Sequence, residues 1–196
     1  MFELENVAVI GAGATGHGIA QAASLAGLSV RLCDQSQEAL DRAVERIRDG
    51  LDRDLAGGRA TAEDRQRTLD GILVTTDLEE AVTNADLIIE SVPEDLALKR
   101  DLLARVARLC RASTLIASSS SSIAIGELAA GIPQPGHLLG MHFSHPVPAT
   151  GLVRIVLTED TAEHALEAAR RFVARLGKTA VEVRDSRGAG EGASPW

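Results

Sequence analysis

An α/β fold of Rossmann type, a doubly wound and mostly parallel sheet with helices on both faces, is predicted by three features of the sequence. Apolar runs of strand length alternate with longer segments of helical period, the pattern of successive βαβ units. The first apolar run passes directly into a glycine-rich turn and a helix-like run, "VIGAGATGHGIA". An acidic residue, Asp34, closes the next run 23 positions after Gly11, near the spacing of dinucleotide-binding folds.

In order along the chain, strands are expected near 7–11, 29–34, 72–76, 86–91, 114–119, 137–143, 152–158 and 179–183. Helices lie between them. "GIAQAASLAG" follows the glycine turn, "SQEALDRAVERIRDGLDRDL" aligns Leu40, Val44, Ile47 and Leu51, and "DLALKRDLLARVARL" aligns Leu98, Leu102, Val106 and Leu109. Residues 53–71 are polar and longer than a usual αβ connection, which predicts a helical excursion or a substrate-side arm. Residues 1–185 read as one domain, and the Gly- and Ser-rich stretch 186–196 reads as a flexible tail.

A chain of 196 residues with 45% apolar content can bury a real core. Its net charge of -8 is spread along the chain, which argues against a nucleic-acid or anionic-membrane surface, since both need clustered Lys and Arg. No basic leader opens the sequence and no window approaches 18 uncharged apolar residues, so a cytoplasmic location is expected. Cys33 and Cys110 lack metal-ligand spacing and read as core packing.

The glycine motif has a stated mechanism. Gly11 permits a tight turn, Gly13 lets the backbone approach a pyrophosphate, and Gly16 lets the helix pack on the strand, while free N–H groups at the helix start receive the anion. Asp34 would then take the adenine-ribose hydroxyls. A carboxylate there repels a 2'-phosphate, and no basic residue follows at once in "DQSQEA", so NAD is expected over NADP.

Two further stretches carry polar chemistry at strand ends. In "ADLIIESVPEDLALKRDLL" an apolar strand ends in Glu90 and Ser91, and a helix opens near Pro93, Glu94 and Asp95, where acidic residues also compensate the helix dipole. In "LIASSSSSIAIGEL" five serines stand where a strand gives way to a helix. One can cap the helix, and at most two need face a polar ligand in the crevice.

These pieces, in this order, resemble the amino-terminal domain of the L-3-hydroxyacyl-CoA dehydrogenases, including the 3-hydroxybutyryl-CoA dehydrogenases. The likeness covers nearly the whole chain. It rests on "GAGATGHGIA", on "ADLIIESVPEDLALKRDLL" where the family has a run ending in Val-Glu-Asn, on "ASSSSSI" where it has Ala-Ser-Asn-Thr-Ser-Ser, and on "GMHFSHPVPATGLVRIV" where it has His-Phe-Phe-Asn-Pro-Val-Pro. The resemblance implies that His142 is the catalytic base, that Ser121 contacts the substrate's alcohol oxygen, that Glu94 and Lys99 lie on the cofactor side, and that Asp34 holds the ribose of NAD. An imidazole suits the task, because oxidising a secondary alcohol removes its proton as hydride leaves, and a group titrating near neutrality does this best. The implied substrate is an acyl-CoA or acyl-carrier thioester. A homodimer or a separate helical-domain partner is implied as well.

Three departures from the family bear on function. His145 and Ser144 replace the family's asparagine and second aromatic. Twelve residues after His142, where the family has a glutamate that stabilises the protonated histidine, stands Arg154. Strand alternation puts Arg154 on one face with Leu152 and Val156, where it needs a carboxylate partner or a path to water. After "VEVRD" the family continues into a helical domain that completes the acyl pocket, while this sequence reads "SRGAGEGASPW". On the 53–71 stretch, Arg53 and Arg59 are candidates for CoA phosphates. The chain therefore reads as an NAD-dependent oxidoreductase with an altered site or as a decayed relative. An enzyme for a carrier-bound or carboxylate-bearing hydroxyacyl substrate, with Arg154 as clamp, and a non-catalytic NAD-binding module are the rival readings.

Overall fold

In the computed structural model, which describes residues 4–185, the strands join a single sheet. They are β1 (Asn6–Ile10), β2 (Ser29–Cys33), β3 (Ile72–Thr75), β4 (Leu87–Glu90), β5 (Leu115–Ser118), β6 (Leu138–Phe143), β7 (Leu152–Leu157) and β8 (Thr179–Arg184), in the spatial order β3-β2-β1-β4-β5-β6-β7-β8. The first six run parallel. Strand β7 is antiparallel to β6 and parallel to β8. The reversal follows from connection length, because residues 144–151 form a short loop, and a parallel step needs a crossover of a dozen residues or more. The expected tail, 186–196, lies outside the described residues.

The helices are α1 (Gly16–Leu25), α2 (Gln37–Ala56), α3 (Ala62–Asp70), α4 (Leu78–Val82), α5 (Leu96–Leu109), α6 (Ile125–Ala129) and α7 (Glu163–Arg175), with a 3-10 turn at Pro135–His137. Alternate strand residues feed two cores. Val9, Leu32 and Ile89 pack with Ile19, Leu40, Ile47 and Phe172 on one face. Ile10, Ile88 and Ile116 pack with Val82, Leu103, Val106 and Leu128 on the other. Burial on both faces is why these strands read as continuous apolar runs rather than as alternating ones.

The 53–71 stretch is a helical excursion. Helix α2 runs on to Ala56, and α3 starts at a capping box in which the Thr61 hydroxyl accepts from Asp64 N–H and the Asp64 carboxylate accepts from Thr61 N–H. It is fixed to α1 by the Ser24 hydroxyl, which donates to Thr68 O at 2.7 Å.

Two expected helix stripes are corrected. Helix α2 buries Ala43 with Leu40, Ile47 and Leu51, while Val44 is half-buried. Helix α5 is turned further: it buries Lys99, Leu103 and Val106, leaves Leu98 45% exposed, and half-buries Leu102 and Leu109. An apolar period defines only a broad stripe. The rotation of α5 within that stripe is set by where the Lys99 ammonium finds its partners.

Candidate active site

The nucleotide side of the site is built by the chain leaving β1. Gly11 has a φ of +104°, and a Cβ there would lie 2.4 Å from the Ser91 carbonyl oxygen. A Cβ on Gly16 would lie 1.8 Å from the carbonyl oxygen of Gly11, so only glycine closes the turn against the start of α1. Beside Gly13 the space within 4 Å is open. Thr15 stands at the N-cap of α1 without capping it; its hydroxyl lies 3.0 Å from His145 Nε2. At the end of β2, Asp34 is oriented by two backbone donors, Ala12 N–H to Oδ2 at 2.9 Å and Ser36 N–H to Oδ1 at 3.0 Å.

A cleft of about 1080 Å³ opens here, floored by the 11–15 turn and walled by Asp34, Ser91–Glu94, Leu98 and Leu102. The residues fit a dinucleotide: a glycine turn without side chains, a helix start without a side-chain cap, an oriented carboxylate and an apolar wall. Arg42 and Arg46 line the same cleft from α2. They escaped the sequence reading because they follow Asp34 by two and three helical turns, and Arg42 is paired with Glu38.

Behind the cleft sits a buried charge network. Lys99, 1% exposed, places its Nζ 2.7 Å from Glu90 Oε1, 3.0 Å from the Val92 carbonyl and 3.6 Å from Glu94 Oε2. Glu90, fully buried, also accepts from the Ser118 hydroxyl at 2.6 Å and from Val92 N–H at 2.7 Å. Such a pair is tolerable in the interior only because its remaining lone pairs and protons are satisfied. The cofactor-side reading of Lys99 is thereby narrowed: Glu94 lines the cleft, and Lys99 stands behind it. Glu90, noted in the sequence only as a strand end, is the hub. No spacing rule could mark it, since its partners come from the 91–94 loop, α5 and β5.

The serine run divides its tasks. Ser118 braces Glu90, and the Ser119 hydroxyl donates to Ser91 Oγ at 3.2 Å. The Ser120 hydroxyl donates to Glu94 Oε2 at 2.9 Å, and Ser121 N–H donates to Glu94 Oε1 at 2.8 Å. Burial alone would raise the Glu94 carboxyl; these donors and the Lys99 ammonium outweigh it and hold the carboxyl below its ordinary value. Ser121 itself is exposed.

His142 lies near the carboxyl end of β6, half-buried, with Nδ1 buried and, among the described residues, without a hydrogen-bond partner. Its ring is pushed below the ordinary imidazole range, first by desolvation, then by the charge of Arg154; the Ser119 backbone and Glu94 act in the opposite direction, and His145 adds to the lowering. Arg154 is the Cα partner of His142 across the β6–β7 pair. Alternation is as expected, with Val153 and Ile155 buried and Arg154 exposed on the other face. The carboxylate partner does not exist among the described residues, and Arg154 reaches water instead.

The 144–151 loop is held from two sides. His145 meets Thr15 on the glycine turn, and the Lys178 ammonium donates to the carbonyls of Val147, at 2.8 Å, and Thr150. Neither contact was foreseeable, since 130 and 31 positions separate His145 from Thr15 and Lys178 from Val147. Away from the site, the Arg59 guanidinium lies 2.8 Å from Asp54, so it is already engaged by a neighbour on its own turn.

The fold and the cleft together define a Rossmann-type dinucleotide-binding domain. Residues 6–186 match the model of the 3-hydroxyacyl-CoA dehydrogenase NAD binding domain, and the chain belongs to that family. It is 37% identical over 183 residues to a probable 3-hydroxybutyryl-CoA dehydrogenase of Bacillus subtilis, covering 93% of this chain and 63% of that one. It is 38% identical to the 3-hydroxyadipyl-CoA dehydrogenase of Escherichia coli, over 96% of this chain and 39% of the relative. The crystal structure of an Escherichia coli 3-hydroxybutyryl-CoA dehydrogenase superimposes with a TM-score of 0.92 at 37% identity, over 95% of this chain and 39% of that one. The chain thus spans less than two thirds of these relatives. NAD is the cofactor of the matched domain, and the mostly parallel sheet is that of the family. Among the described residues no helix is long and apolar enough to cross a membrane.

Proposed function

We propose that this chain provides the cofactor and proton-transfer half of a dehydrogenase that oxidises the hydroxyl of a 3-hydroxyacyl thioester to the 3-oxo group. NAD, when bound, accepts the hydride. One observation carries the reading: His142 stands near the end of β6, where the Ser119 backbone and the charges of Glu94 and His145 act on its ring, and His145 in turn contacts Thr15 on the glycine turn. Its lowered pKa keeps the ring neutral at pH 7, the form that can accept the hydroxyl proton. In this reading Ser121 orients the alcohol oxygen, Glu94 borders the nicotinamide side, Lys99 positions Glu94 through the buried network, and Asp34 takes the ribose.

Proton transfer turns His142 into a cation beside Arg154. A carboxylate at that position would favour the change, whereas a guanidinium opposes it, so the proposed enzyme is slow on a simple 3-hydroxybutyryl thioester. A second reading rests on the same exposed guanidinium: Arg154 clamps a substrate bearing its own carboxylate, an arrangement for which bidentate geometry is suited. One relative acts, by its name, on a hydroxyadipyl group, which is dicarboxylic. The relatives extend beyond the matched span, and in this proposal the acyl side of the pocket is completed outside residues 4–185, by further chain, a second copy or a separate helical partner.

Titrating NADH fluorescence and then following NADH oxidation with acetoacetyl-CoA tests the proposal. Binding with turnover supports it. Binding without turnover on acetoacetyl-CoA or on a carboxylate-bearing 3-oxoacyl-CoA leaves a non-catalytic NAD-binding module. A native mass measurement of the active species identifies the partner.

A further inference from the structure

We propose that His137 and His164 form a two-imidazole site for a divalent transition-metal cation of the copper, nickel or zinc class, at the end of the sheet opposite the nucleotide cleft. His137 ends the 3-10 turn that leads into β6, and His164 lies in the first turn of α7. The recess they share is also lined by Asp86 and Ser113, which precede β4 and β5. It therefore lies at the amino ends of the parallel strands, whereas the cleft lies at their carboxyl ends. Five residues at about 3.3 Å each separate His137 from His142 along β6, roughly 16 Å.

The geometry is that of a chelating pair. The two Nε2 atoms share an N–H···N hydrogen bond of 2.8 Å, with the rings edge to face at an interplanar angle of 80° and centroids 4.7 Å apart, and a cation would take the place of the shared proton. Two imidazole nitrogens each about 2.0–2.1 Å from one metal ion stand roughly 2.9–3.3 Å apart for right-angled to tetrahedral coordination. An opening of a few tenths of an ångström admits the cation.

Both ligands sit on segments locked to each other by backbone. Ala162 N–H donates to Gly136 O at 2.9 Å, and His137 N–H donates to Gln134 O at 3.0 Å. The backbone of Thr114 and Ala112 also hydrogen-bonds the His137 ring, the outer-shell support that fixes the orientation of a ligating imidazole. The carboxylate that lines the recess, Asp86, is engaged by Arg111 at 2.6 Å and by the Asn6 backbone at 2.8 Å. Since the described residues hold no group of three or more such ligands, water completes the coordination shell.

The test titrates the full chain with Cu²⁺, Ni²⁺, Zn²⁺ and Mg²⁺ by calorimetry while imidazole proton signals are followed by NMR. The expected result is that substoichiometric Cu²⁺ broadens His137 and His164 first, and that affinity follows Cu²⁺ above Ni²⁺ and Zn²⁺, with Mg²⁺ not bound. His137→Ala and the exposed His164→Gln should each weaken Cu²⁺ binding by about tenfold, with NADH affinity unchanged as the check that each variant is folded. Undiminished Cu²⁺ affinity in folded His164→Gln, or a first response at His17, His142 or His145, overturns the proposal.

Discussion

His142 and Arg154 are directly opposed on neighbouring antiparallel strands, and among the described residues none bonds the buried Nδ1 of the histidine. The pair fixes the electrostatic problem of the proposed reaction, because the base must gain a positive charge on the face that already carries a guanidinium. The Arg154 charge lowers the His142 pKa, and exposure of Arg154 to solvent keeps the repulsion to a fraction of the roughly 4 kcal/mol between two unit charges about 4 Å apart at an effective dielectric near 20.

Replacing Arg154 by glutamate should therefore speed acetoacetyl-CoA reduction or 3-hydroxybutyryl-CoA oxidation by about tenfold or more, since about 1.4 kcal/mol is a decade in rate. His142→Ala should abolish turnover while leaving NADH binding intact. Steady-state rates for the three chains decide the matter. A faster natural chain and a slower Arg154→Glu variant would mean that Arg154 holds substrate rather than opposing the base.

The pH profile should carry the same signature. His142 is lowered below its ordinary 6.5, so the acidic limb of kcat/KM for alcohol oxidation lies below pH 6.5. Arg154→Glu should move that limb upward. For stability the sign is the reverse of a paired histidine. His17, His137 and His142 are all held low in the folded chain, so protons bind the unfolded state preferentially, and stability falls as pH drops from 6.5 through their folded values. Urea midpoints between pH 7 and pH 5 measure this, and His142→Ala should flatten the decline.

NADH should bind at least tenfold more tightly than NADPH, about 1.4 kcal/mol, if Asp34 has its proposed role, in which its carboxylate accepts ribose hydroxyls and repels a 2'-phosphate. Asp34→Ala should shrink the ratio by raising NADPH affinity, since Arg42 and Arg46 already border the cleft. Fluorescence titration with both cofactors gives the ratio, and equal affinities for the natural chain would remove Asp34 from this role.

Lys99→Met should destabilise the fold by about 3–5 kcal/mol, because it strands the Glu90 carboxylate in a fully buried position. Glu90→Gln combined with Lys99→Met should recover a large part of that loss. Chemical denaturation of the single and double variants tests the coupling. A single-variant loss under about 1 kcal/mol would show that the pair is not held as charges.

The fold was legible in the sequence because its signals are local. Strand and helix periods, the glycine turn and Asp34 each depend on residues a few positions apart, and sterics allow few backbones for them. The mostly parallel doubly wound sheet, the glycine turn of the nucleotide cleft and the strands that carry His142 and Arg154 all followed from such spacing, whereas the pairing of those two strands came from the structure. What only the tertiary structure decided depends on groups far apart in the chain. The rotation of α5, with Lys99 inward and Leu98 in the cleft, was set by a buried ammonium seeking Glu90, a preference that apolar periodicity does not encode. The Thr15–His145 contact and the Lys178 clamp on the 144–151 loop at one end of the sheet, and the His137–His164 pair at the other, each join elements far apart in the chain. The exposure of Arg154 belongs to the same class: alternation assigned it a face, and only the packing on that face determined that water would be its partner.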